Sequence, residues 1–187
     1  LIEAALAHVA RRGLHDSPLK LLDLGTGTGC ILITLLAELP RARGLGTDMS
    51  CGALASAAKN AERLGVGARA AFVPADWLDA VEGKFDLILS NPPYLASREI
   101  AALADEVAAF DPILALDGGP DGLDAYRRIA ARAGDVLAED GRLFVEIGAA
   151  QGEAVAGIFR AAGLRLDGHE GVRQDLAGRP RVVVAGM

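Results

Sequence analysis

Cysteine is scarce in this chain: Cys30 and Cys51 are the only two in 187 residues. That excludes a disulfide framework and fits a reducing compartment, so a cytoplasmic location is expected. Histidine is equally sparse, and His8, His15 and His169 stand far apart without metal-ligand spacing, so no metal is expected. Long apolar runs are missing too. The longest, Cys30 to Ala37, is interrupted by Thr34 and falls far short of a bilayer's width. No basic-then-apolar leader precedes it. Positive charge is in deficit, with 19 Lys and Arg against 25 Asp and Glu and a net charge of −6. That balance disfavours a surface built to track a nucleic-acid backbone. Arg173, Arg179 and Arg181 are too few, and too mixed with acids, to reverse it. The expectation is one monomeric domain with no membrane partner and no direct nucleic-acid partner.

What the chain does have is 51% hydrophobic residues in alternating helix and strand patterns. The periodicity predicts a helix over 1–12, a strand over 20–24, a helix over 30–39 and a weak strand over 43–47. Ser50 then caps a helix of about 14 residues that stops at Gly65. Strands follow over 70–73 and 85–89. Residues 95–121 read as irregular, with Asp111-Pro112 and Asp117-Gly118-Gly119-Pro120-Asp121-Gly122 as breakers. Such a long segment inside a domain is usually functional. A helix over 123–137, a strand over 142–147, a helix over 151–162 and strands over 164–167 and 181–185 complete the chain. Strand–helix alternation predicts an α/β doubly wound, mostly parallel sheet. The last two strands have only the loop 170–180 between them and should form an antiparallel hairpin. Leu1 to Leu6 resembles the middle of a helix, so further chain is expected upstream.

In open α/β sheets ligands bind beyond the carboxyl ends of the strands. The first such end carries Gly25-Thr26-Gly27-Thr28-Gly29, where glycines permit a tight turn and close backbone approach. The spacing is not that of a dinucleotide fingerprint, and no lysine follows as in a phosphate-binding loop. Asp48, 19 residues after Gly29, ends the second strand and suits ribose hydroxyls. The third strand ends near Asp76, suited to an adenine amino group, and Trp77, suited to covering a base. Singly, Asp48 reads equally well as a turn acid or N-cap, and Trp77 as a core aromatic. Three such groups at three successive strand ends indicate an adenosine-bearing cofactor without pyrophosphate, which points to S-adenosylmethionine.

The fourth strand runs into Ser90-Asn91-Pro92-Pro93-Tyr94. Neither proline has an N–H, so the turn is stiff and rich in acceptors. An Asn side chain and a carbonyl in such a turn suit the grip of a planar NH2 group. An enzyme that methylates an amide or amino nitrogen needs such a grip.

Along nearly its whole length the chain resembles the catalytic domain of the protein-glutamine N5-methyltransferases that modify bacterial peptide-chain release factors. The resemblance rests on Asp23 to Ile31, Asp48 with Ala53-Leu54 and Ala58-Lys59-Asn60, Asp76-Trp77, and Ser90 to Tyr94. It continues through Asp111-Pro112, Ala115-Leu116, Gly119 to Leu123, Tyr126-Arg127, Glu146-Ile147-Gly148 with Gln151, and Asp175 before Arg181-Val182-Val183. It implies a Rossmann-like class I methyltransferase fold over 1–187. Cofactor contacts then fall on Gly25, Thr26, Gly27, Thr28, Gly29, Asp48, Asp76, Trp77 and Asn91. Substrate contacts fall on Asn91, Pro92, Pro93 and Tyr94, with Asn91, Pro92 and Tyr94 catalytic. The implied reaction moves a methyl from S-adenosylmethionine, leaving S-adenosylhomocysteine, to a glutamine in the release factor's Gly-Gly-Gln loop. The family's N-terminal helical domain and its Pro-Arg-Pro segment are not found in these residues, and Asp111-Pro112 stands where the family has Glu-Pro. An adenine-N6 methyltransferase acting on DNA or RNA would use the same grip and is the rival reading.

Overall fold

Short runs rich in Leu, Val and Ile, bounded by Gly, Pro or Asp, form the strands of a single eight-stranded sheet. The computed structural model describes residues 1–79, 81–100, 115–168 and 171–187. Five strands, β1 (Lys20–Leu24), β2 (Arg43–Asp48), β3 (Ala70–Pro74), β4 (Phe85–Ser90) and β5 (Leu137–Glu146), are mutually parallel. Three more follow: β6 (Arg165–Leu166), β7 (Val172–Gln174) and β8 (Pro180–Gly186). The helices are α1 (Ile2–Arg11), α2 (Cys30–Glu38), α3 (Cys51–Arg63), the single turn α4 (Ser97–Ile100), α5 (Asp124–Val136) and α6 (Gly152–Ala161). No described helix is long and apolar enough to cross a membrane.

The strand order is β3-β2-β1-β4-β5-β8-β6, with β7 beside β8. Alternate residues of the central strands enter different halves of the core, as a two-residue side-chain repeat requires. Leu22, Leu24, Ile88, Leu143 and Val145 face α5 and α6, packing with Tyr126, Ile129, Val155 and Phe159. Leu21, Leu87, Leu89 and Phe144 face the other way, toward α1 and α2. Strands covered on both faces need near-continuous apolar sequence, which is why β1 and β4 were legible as apolar runs.

The chain leaves β1 toward β2 and β3 on one side, then returns to place β4 on the other side of β1. This makes β1 and β4 the switch point, where open α/β sheets bind ligands.

The final strands pair antiparallel as expected, with β8 between β5 and β6, so the hairpin is inserted into the sheet. Three expectations need correction. Part of the expected 170–180 loop is strand β7, a three-residue Val-Arg-Gln segment too short and polar to register as apolar periodicity. Strand β5 starts at Leu137, five residues early, because Leu137 pairs with Phe85 across a register shift. Within the segment expected to be irregular, α4 adds one helical turn. Asp111-Pro112 and His169 lie outside the described residues.

Candidate active site

Leu24 and Ser90 are register partners, so the Gly25–Gly29 loop and the Asn91–Tyr94 segment leave adjacent strands at the same level. Neighbouring strands lie about 4.8 Å apart, which puts the two exits side by side. The buried Ser90 hydroxyl donates to the Leu24 carbonyl at 2.9 Å and fastens them together.

The glycine loop is stitched from several sides. The Thr26 amide donates to the Thr47 carbonyl of β2 at 2.8 Å. The Asn60 side chain, from α3, donates to the Thr28 carbonyl at 3.0 Å. Gly29 has φ +84°, and a Cβ there would stand 2.7 Å from Ile33 Cδ1 and 3.1 Å from Ala57 Cβ. Only glycine combines that conformation with such close packing of α2 and α3.

Asp48, half-buried at the end of β2, accepts from the Gly27 amide on one oxygen and from the Ser50 amide on the other, both at 2.8 Å. It therefore shapes the loop as well as standing beside it, and an ionised carboxylate keeps acceptor capacity after two such bonds. Asp76 pairs through Oδ2 with Arg128 of α5 at 2.6 Å, while its Oδ1 is buried without a hydrogen-bond partner among the described residues. Trp77 adopts φ +56°, a rare conformation for so bulky a residue. Its ring edge approaches the glycine loop, with Cζ3 3.8 Å from where a Gly25 Cβ would stand, and the rest packs on the core.

In the Asn91–Tyr94 segment, Asn91 is exposed, Pro92 buried, and Pro93 and Tyr94 half-buried. Among the described residues, no hydrogen bond engages the Asn91 side chain or the Pro92 carbonyl. Beyond it the chain is held: Leu95 bridges to Asp117, its amide donates to the Leu116 carbonyl, and its carbonyl accepts from Gly118. The segment thus lies against the 116–122 turn. That turn is in turn clamped by Arg127 on Asp121 and Asp124.

The family model described as Methyltransferase small domain matches residues 7–111. The chain belongs to that family. Among its relatives, the "Release factor glutamine methyltransferase" of Cereibacter sphaeroides is 55% identical over 99% of this chain and 63% of its own length. The protein of the same name from Rhodospirillum rubrum is 50% identical over 99% of this chain and 54% of its own length. The chain therefore spans rather more than half of these relatives. A solved magnesium protoporphyrin IX methyltransferase from Synechocystis PCC 6803, with bound SAM, superposes with a TM-score of 0.61 at 17% identity. That superposition covers 98% of this chain and 76% of that one, and it shows a shared fold.

Within this methyltransferase-family domain, one further group beside the glycine loop stands out. Asp23, fully buried one residue before the end of β1, accepts from the Thr26 hydroxyl at 2.6 Å on Oδ2. Its Oδ1 is buried and unpartnered among the described residues. Burial pushes its carboxyl up to about 7, and the Thr26 hydroxyl only partly offsets this. An acid inside an otherwise apolar Leu-Leu-Asp-Leu strand was the available signal, since buried acids are rare without a purpose. Two grooves elsewhere, of about 230 and 420 Å³, are lined by none of these residues.

Proposed function

We propose that this domain transfers a methyl group from S-adenosylmethionine to the side-chain amide nitrogen of a glutamine in a peptide-chain release factor. The observation that carries the reading is the shared exit of two loops, one a glycine cradle and one an acceptor-rich Asn-Pro-Pro-Tyr turn, from adjacent strands. The names of relatives at 50–55% identity support the same acceptor.

The residues present fit the cofactor. The cradle admits a ligand close to the backbone, Asp48 retains capacity for ribose hydroxyls, and the orphaned Oδ1 atoms of Asp23 and Asp76 are acceptors awaiting donors. An ammonium group suits the first and an adenine amino group the second. When bound, the cofactor supplies an electrophilic methyl on a sulfonium. Trp77 closes one wall of the cradle.

An amide nitrogen is a weak nucleophile because its lone pair is delocalised into the carbonyl. The Asn91 side-chain oxygen and the Pro92 carbonyl each accept one N–H of the substrate amide and turn its lone pair toward the methyl. With the cofactor bound, the new N–C bond would form as the S–C bond breaks, and the alkylated nitrogen would shed its extra proton to solvent. Acceptors placed where positive charge grows on nitrogen would stabilise the transition state, and holding the amide in one orientation would lower the entropic barrier. Tyr94 flanks the flat amide.

The deciding assay is labelled methyl transfer from S-adenosylmethionine to a release factor and to its variant with Ala replacing the glutamine of the Gly-Gly-Gln loop. Label should enter the first and not the second. Equal labelling of both, or of neither, would overturn the assignment.

A further inference from the structure

Pro92 and Pro93 have no N–H to donate, so they cannot tie the turn to a neighbour as donors. Among the described residues, the first hydrogen bond beyond Asn91 is made at the Tyr94 carbonyl. Gln151 takes it: Nε2 donates to the Tyr94 carbonyl at 2.9 Å and to the Gly122 carbonyl at 3.1 Å. On the other side of the same amide, Oε1 accepts from the Gly148 amide at 3.0 Å, with the Tyr126 hydroxyl at 3.4 Å. Both hydrogens of the amide are used, and flipping it would set oxygen against two carbonyls, so its orientation is fixed.

Gln151 stands at the N-cap position of α6 but makes no side-chain cap. It spends its amide across three other segments. The surroundings leave no slack. A Cβ on Gly122 would lie 2.4 Å from the Tyr94 carbonyl oxygen and 2.9 Å from Gln151 Nε2. A Cβ on Gly148 would lie 2.9 Å from Gln151 Oε1 and 3.4 Å from the Tyr94 ring. Tyr126, fully buried on α5, gives its one proton to the Glu146 carbonyl at 3.0 Å and so ties the cluster to the carboxyl end of β5. Two donors toward carbonyls and one acceptor toward an N–H, at this reach, describe a glutamine side chain. Glutamate would repel both carbonyls, and asparagine is one methylene short.

The geometry points to Gln151 as a positioning residue that fixes the Asn91–Tyr94 turn against the end of β5, and so sets where the acceptor grip meets the transferred methyl. This rests on the function proposed above. Gln151 acts through the turn and, among the described residues, makes no hydrogen bond to the cofactor loop Gly25 to Gly29. A displacement of the grip by about 1 Å is enough to cost about a hundredfold in rate.

The test uses Q151E and Q151M in the full chain, with three readouts. Single-turnover transfer to a release factor should fall about 30- to 100-fold, while S-adenosylmethionine affinity by calorimetry stays within about threefold. In Q151E part of the rate, relative to wild type at the same pH, should return as pH falls from about 8 to 6, because a protonated carboxyl can again donate to the Tyr94 carbonyl. Independently of activity, amide exchange at Leu95 and Ser97, which donate to Leu116 and Gly119, should quicken about tenfold, with β1 and β4 unchanged. Unaltered exchange at those amides overturns the proposal, and so does faster exchange with wild-type turnover. Loss of cofactor affinity or of the fold in step with activity assigns Gln151 a general structural role and overturns it too. A wild-type chain that transfers no methyl sinks the function reading instead, and the exchange readout then decides this one alone.

Discussion

Asn91 and Asp48 stand at the ends of β4 and β2, on either side of β1, yet should fail differently when cut back. Asn91→Ala removes an acceptor that no other described group uses, so turnover should be largely lost while S-adenosylmethionine affinity stays within about tenfold, or ~1.4 kcal/mol. Single-turnover kinetics beside calorimetry separates the two, and unchanged turnover would remove Asn91 from the chemistry. Asp48→Ala also frees the Gly27 and Ser50 amides. Charge-assisted bonds of this kind are worth about 1.5–3 kcal/mol each, so cofactor affinity should drop by at least about tenfold. Wild-type affinity in that variant would count against its role. Both residues were legible in the sequence because local backbone chemistry marks them: a proline pair after one strand, a glycine loop before the other. Asp23 was not assigned, because its burial is a tertiary fact that four neighbouring letters do not disclose. Gln151 was read only as part of a resemblance, since its partners lie 57 and 29 residues away in sequence.

Arg69 ties two elements together. Its guanidinium donates to the carbonyls of Leu36, Leu39 and Ala42, sealing the open end of α2 and the turn into β2. Helix ends leave such carbonyls without intrahelical partners. Arg69→Ala should therefore cost about 2–3 kcal/mol, a melting-point drop of roughly 4–10 °C for a domain of this size. Calorimetry would show it, and an unchanged melt would reduce Arg69 to a surface residue. At this scale the sequence was informative where periodicity is long, as in α3, whose Ser50 cap does accept from the Ala53 amide. It was poor for β7 and for the early start of β5. There, pairing with a distant strand, and not the segment's own hydrophobicity, decides the conformation.

At the scale of the whole molecule, Asp23 gives stability a pH-dependent contribution, opposed near neutrality by the buried His8, whose imidazole is held below its ordinary value. The Asp23 carboxyl titrates near 7 when folded, against an ordinary value near 4 when unfolded. Between those values this carboxyl binds more proton in the folded state, so its contribution to the unfolding free energy falls as pH rises from about 4 to 7 and levels off above. Asp121 and Asp175 work the other way. The Arg127 hydrogen bond holds the first low and the Arg179 amide the second. Their contributions are present above the ordinary carboxylate range and fade as pH drops through it. Ligand-free Asp23→Asn should flatten the decline between pH 5 and 7 in a melting series, and a slope equal to wild type would refute the buried acid as its source. The α/β class and parallel core were readable from strand–helix alternation. The insertion of β8 between β5 and β6 was not, because chain neighbours usually pair side by side and nothing local signals a return into the sheet.

The hydroxyl bridge from Ser90 to Leu24 has a further consequence. It ties the glycine loop and the Asn-Pro-Pro-Tyr turn, the proposed donor and acceptor stations, to one rigid gauge, so neither can be shifted along its strand without dragging the other. Retargeting this scaffold to a longer or shorter nucleophile would have to be done by recarving the turn around residues 116–122, because the spacing between the stations is built into the beams.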